Sequence, residues 1–122
     1  MRLDADCIRD ILLAVEEETG YQQPAFAEEI VEKLSRYPRD KVLYHINQCS
    51  LYGYFSDYHQ YVNGDDNAYI ADLSPKGHEF LRDIRSQTVW TATKEKLKPF
   101  ASVSISIIEK VAASIITHQL GI

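Results

Sequence analysis

Ile8, Ile11, Leu12 and Val15 recur at i, i+3, i+4 and i+7, the spacing that lines up one apolar face of a helix. Asp4 or Asp6 opens that first helix, which runs to about Glu18 before Thr19-Gly20 ends it. Tyr21-Gln22-Gln23-Pro24 reads as a linker. Phe26, Ile30, Val31 and Leu34 then form the inner stripe of a second helix over roughly 25–35. Arg36-Tyr37-Pro38 makes a turn, with Pro38 suited to the first position of a third helix, about 38–52. That helix buries Val42, Leu43, Ile46 and Cys49 and turns Lys41, Tyr44, Gln48 and Leu51 outward, with Asp40 and Asn47 beside them.

The period then changes. Gly53 permits a tight exit into a strand from Tyr54 to Val62, Asn63-Gly64 is a strong hairpin-turn signal, and Ala68 to Leu73 returns. Tyr69, Ala71 and Leu73 share one face of the returning strand. Ser74 caps a fourth helix with Pro75 at its first position. The pattern carries that helix to about Lys98, where Pro99 stops it. Phe80, Leu81 and Ile84 face the domain, and Val89, Trp90 and Leu97 extend the apolar positions. Residues 101–120 predict a last amphipathic helix with Val103, Ile105, Ile107, Ile108, Val111, Ile115 and Ile116 on a broad apolar face. Helix, hairpin, helix in this order predicts a mainly α (α+β) winged helix-turn-helix with a two-stranded wing and a C-terminal helical extension. Residues 1–98 form the domain and 99–122 an appended helix for packing or oligomerisation.

Composition narrows the class. A chain of 122 residues, 45% hydrophobic, suits one core. Cys7 and Cys49 fall on apolar stripes and read as reduced core thiols. Met1 to Asp6 has no apolar signal-peptide core, and no long uncharged apolar stretch exists, so a cytoplasmic location is expected. The formal net charge of −5 is uneven: residues 1–75 hold six Lys/Arg against fourteen Asp/Glu, and residues 76–122 seven against four. An acidic winged-helix half opposes phosphate attraction, although a local basic face still suffices to engage a duplex.

Two resemblances add to this. His45-Ile46-Asn47-Gln48-Cys49-Ser50-Leu51-Tyr52-Gly53-Tyr54-Phe55 resembles the end of the recognition helix in the broad winged-helix repressor superfamily, where an H-L-x-x-L-x-x-x-G-L-V run precedes the wing. Asp72-Leu73-Ser74-Pro75-Lys76-Gly77-His78-Glu79-Phe80-Leu81 resembles the L-T-x-x-G-x-x-x-L run that follows it. The whole chain also resembles a family of small bacterial and prophage-encoded proteins of unknown function. That likeness rests on Asp6-Cys7-Ile8-Arg9-Asp10-Ile11-Leu12-Leu13, Leu43-Tyr44-His45-Ile46, Lys76 to Leu81, Ile84-Arg85, Thr88-Val89-Trp90 and Ser102-Val103-Ser104. Where that family commonly reads Leu-Thr, this chain has Leu73-Ser74, with equivalent capping chemistry. The resemblance implies a phage or mobile-element context and carries over no catalytic residue.

Candidate chemistry is sparse. His45 and Cys49 are four apart, a ligand spacing, but no second pair completes a zinc set, so Cys49 is assigned to the core and His45 to the helix border. His78-Glu79, near Asp83, has the residue types of a general base. Without a nucleophile elbow or phosphate loop beside it, His78 is assigned to packing at the start of the fourth helix. Neither an enzyme, a metal nor a cofactor is expected. The candidate nucleic-acid contacts are Arg36, Arg39, Lys41 and Lys76 to phosphates, with Tyr44 and Gln48 reaching base edges. Asp40, Asp57, Asp65 and Asp66 stand against that reading. The candidate partner contacts are Tyr58 and Tyr61 in the wing and Ile105, Ile108 and Ile115 in the last helix, the latter set predicting a homodimer. The functions weighed are a DNA-binding transcriptional regulator, a module binding a host or phage protein, and a peripheral membrane effector using residues 100–122, the last disfavoured by the helix's few charges.

Overall fold

The computed structural model describes residues 1–61 and 67–122; the Asn63-Gly64 turn lies outside them. They form six helices and three strands: α1 Ala5–Glu18, β1 Ala25–Phe26, α2 Ala27–Lys33, α3 Arg39–Leu51, β2 Phe55–Gln60, β3 Ala68–Leu73, α4 Pro75–Ile84, α5 Gln87–Leu97 and α6 Ile105–Leu120. The architecture is mixed α+β and mostly helical. Among the described residues no helix is long and apolar enough to cross a membrane.

Local chemistry sets most boundaries. Asp4 accepts the Cys7 amide at 3.2 Å and caps α1, satisfying an amide the first turn leaves unpaired. Gly53, at φ +85°, makes the turn that takes α3 into β2, and the Tyr54 amide donates back to Cys49 at 2.9 Å. The Ser74 hydroxyl donates to the Gly53 carbonyl and accepts the Gly77 amide, so one side chain joins the entrance of β2 to the start of α4. Gly77 is required there: a Cβ would stand 2.3 Å from the Tyr54 carbonyl oxygen. Gly121, at φ +77°, closes α6.

Three expectations are corrected. The predicted second helix begins later, because Ala25 and Phe26 instead form β1, paired antiparallel with Ile70 and Tyr69 of β3. The antiparallel sheet therefore has the order β1-β3-β2. The predicted long fourth helix is two helices. Arg9 of α1 donates to the carbonyls of Ile84 (2.9 Å) and Arg85 (2.8 Å), satisfying the end of α4, and Ser86 caps α5 through the Val89 amide. Finally, the last helix starts at Ile105, capped by Ser104.

The alternation in the sheet also shifts. Asp57, opposite Ala71, has φ +53°, and this left-handed residue changes which parity faces inward. Phe55 and Leu73 are buried on one side of it, whereas Ala68 and Ile70 are buried on the other. Tyr69, Ala71 and Leu73 thus do not make a single buried stripe.

The core gathers around α1. Cys7, Ile8, Ile11, Leu12 and Val15 are buried with Ile30, Val42, Ile46, Cys49, Ile70, Leu81 and Ile84. Trp90 of α5 and Ile105, Ile108 and Ala112 of α6 join the same cluster. Burial pushes the Cys7 thiol up to about 12, with the Asp4 charge adding to it, and it raises Cys49 as well. Both thiols are free and buried, as their apolar stripes predict.

Candidate nucleic-acid interface

Helix α3 is oriented by its buried residues Val42, His45, Ile46 and Cys49. Its opposite side leaves Arg39, Asp40 and Leu51 exposed and Lys41, Tyr44, Asn47 and Gln48 half-buried. Leu51, at 73% exposure, is the last residue of the helix.

His45 is not at the helix border. It is fully buried, its Nε2 accepting the Asp4 amide at 2.9 Å while Nδ1 lies 2.8 Å from the Lys41 carbonyl. Accepting at Nε2 makes Nδ1 the donor, which fixes a neutral tautomer. Both nitrogens are consumed in holding the start of α1 against α3, so the residue types of a ligand pair serve packing here.

Each predicted cation around α3 meets a carboxylate from another element. Arg36 pairs with Asp10 of α1 and lies over the Tyr37 ring at 5.0 Å. Arg39 pairs with Glu28 of α2. Lys41 reaches the Asp4 carboxylate at 2.6 Å. Burial pushes the Asp4 carboxyl up, but Lys41 and the Cys7 amide outweigh it, leaving it below its ordinary value. The Tyr37 hydroxyl donates to Asp10 at 2.6 Å, and burial together with that bond raises its pKa. Lys76 sits apart, at the start of α4. Its ammonium donates to the Tyr52 carbonyl at 3.0 Å and lies over the Tyr52 ring at 4.6 Å.

The tyrosines divide between jobs. Tyr54 is buried, stacked on Phe80 at 5.2 Å; its hydroxyl donates to Glu109 of α6, and burial with that bond raises it. Tyr44 meets His45 edge-on at 5.3 Å. Tyr58 is half-buried against Phe55, while Tyr61 remains 45% exposed. His78 is exposed, 3.5 Å from Asp72, rather than packed.

The predicted partner face of the last helix is corrected in part. Ile105 and Ile108 are buried in the chain's own core, because α6 packs against α4 and α5. Only Ile115 remains at the surface, half-buried. Sequence reasoning missed the acidic partners Asp4, Asp10, Glu28 and Glu109. Their signal is weak, since each meets its partner across 11 to 55 residues of chain.

Comparison with known proteins agrees with the resemblance to small bacterial proteins. A protein of Haemophilus influenzae (strain Rd), described as uncharacterised, is 30% identical over 123 aligned positions, which cover 99% of this chain and 100% of that protein. No solved structure matches the chain. Residues 2–104, from the segment before α1 to the cap of α6, match the family described as "Hypothetical protein (DUF2513)", and the chain belongs to that family.

Proposed function

We propose that this is a non-enzymatic winged-helix protein that binds double-stranded DNA, with α3 in the major groove and the β2–β3 pair as a wing on the backbone, acting as a regulator in the cytoplasm. The observation that carries the reading is the order α1-β1-α2-α3-β2-β3 with strands arranged β1-β3-β2. In support of the reading, α3 packs against α1 and α2 through Val42, His45, Ile46 and Cys49, while Arg39 and Asp40 are exposed and Tyr44 and Gln48 half-buried on its other side. This is the placement a recognition helix needs. The ion pairs on its flank do not remove the cations from reach. The side chains of Arg36 and Arg39 are 61% and 43% exposed, and exposed pairs contribute only about 0–1 kcal/mol, so phosphate competes for them.

Fluorescence anisotropy of a random-sequence duplex, from about 50 to 200 mM salt, tests the reading. Binding should fall with salt, and Arg39→Ala should reduce the log–log slope by about one. No binding at the lowest salt, or a slope that Arg36→Ala and Arg39→Ala both leave unchanged, overturns it. A second reading, a module binding a host or phage protein on the same scaffold, is favoured by one observation. Asp4, Asp10, Glu28 and Asp40 share the surface with the cations, while Leu51 and Tyr61 offer exposed apolar area. Retention of a phage or host protein that Tyr61→Ala releases, without duplex binding, selects it.

A further inference from the structure

Helix α6 has more apolar surface than its own domain covers. Ile105, Ile108 and Ala112 are buried against α4 and α5. A second stripe, Ile107, Val111 and Ile115 at i, i+4 and i+8, points elsewhere, with Ile107 41% exposed. With Ser114, this stripe floors a groove of about 340 Å³ between α5 and α6, and Lys96 and Lys110 stand in its walls.

The charge around the groove is unbalanced. No carboxylate lines it. Lys96, Lys98 and Lys110 form no ion pair among the described residues, whereas Lys33, Lys41 and Lys94 all do. Lys110 also borders a cleft between α4 and α6 that holds Glu79, Asp83 and Glu109, yet none of these comes within ion-pairing distance of it. The groove therefore offers apolar contact at its floor and unneutralised positive charge at its edges.

We propose that this groove docks an acidic amphipathic helix of a partner protein, apolar anchors on the Ile107-Val111-Ile115 floor and carboxylates on Lys96 and Lys110. The pattern is the helix-in-groove mode, read as i, i+3, i+4 and i+7 anchors, with flanking charge setting partner choice. A second copy of this chain fits poorly. Two such faces laid together would bring four lysines against one another with no carboxylate from the groove. A phosphate-bearing partner would meet the lysines and leave the isoleucine floor uncovered. The inference stands independently of the DNA reading, because α3 takes no part in it.

The test uses the intact chain and two synthetic helical peptides. Both carry leucines at i, i+3, i+4 and i+7; one has glutamates on the flanking positions and the other lysines. The acidic peptide should bind saturably by anisotropy. Its amide chemical-shift changes should centre on Lys96, Ile107, Lys110, Val111 and Ile115. Lys96→Glu with Lys110→Glu should weaken it at least tenfold and reverse the preference toward the lysine peptide, with an unchanged far-UV spectrum. Ile107→Asp should abolish both. Four results overturn the proposal: no acidic-peptide binding, equal binding of both peptides, a dimer in solution that the charge reversals strengthen and the peptide cannot enter, or binding to anionic vesicles that the acidic peptide does not displace.

Discussion

Around α3, Arg36, Arg39 and Lys41 each meet a carboxylate brought by another element, whereas along α5 and α6, Lys96, Lys98 and Lys110 meet none among the described residues. The first region lies in the acidic stretch of the chain and closes its charges upon itself. The second lies in the basic stretch and leaves its charges beside uncovered isoleucines. Exposed pairs add little stability, so the first arrangement chiefly fixes where its cations point. The second contributes nothing of that kind to the fold, and its open lysines are free for a partner. Basic composition points to the second half alone, and the apolar floor is what gives that region its own reading.

The largest expected effect comes from a side chain that ties α5 to α1. Trp90 is buried, and its indole donates to Asp6 of α1 at 2.8 Å. Trp90→Ala should cost about 4 kcal/mol in denaturant unfolding and loosen α5 and α6 together. A loss below 1 kcal/mol would show that α5 is not seated on α1. Next is His45→Phe, which strands the half-buried Asp4 amide and should cost about 1 kcal/mol. Hydrogen exchange should then rise first at the start of α1.

Acid should act through carboxyls that their cationic partners hold charged. Asp4 is held below its ordinary 3.8 as described, and the Arg85 guanidinium holds Glu16 below 4.5. Each carboxyl takes up a proton more readily unfolded than folded. Their contribution is therefore complete above the unfolded values and lost as pH falls through the lower folded ones. Stability should decline below about pH 4, less steeply in Asp4→Asn. The smallest effect is expected at Lys96 and Lys110. Reversing both should move stability by no more than about 0.5 kcal/mol, which the midpoint of urea unfolding checks, since neither has a partner to lose.

What was legible in the chain is what local chemistry decides. Gly53, Ser74-Pro75, Pro99 and the stripe of α1 mark their elements within a few residues. The missed features depend on distant partners. Strand β1 exists because Ala25 and Phe26 find Ile70 and Tyr69; two residues carry no period of their own. The break after α4 depends on Arg9, 75 residues away. His45 looked like a border residue because its acceptor role is set by Asp4, 41 positions earlier. Of the candidate cations, Arg36, Arg39 and Lys76 are exposed and Lys41 is half-buried; the carboxylates that meet Arg36, Arg39 and Lys41 come from other elements, so their state was not written near them.

Titrating the isotopically labelled protein with random-sequence duplex DNA, and following its backbone amide shifts at low salt, tests the central assignment most directly. The account predicts saturable changes at Arg39, Tyr44 and Gln48 and along β2 and β3, with Ile107, Val111 and Ile115 still. Changes confined to Lys96, Lys98 and Lys110, or none at all, would contradict it.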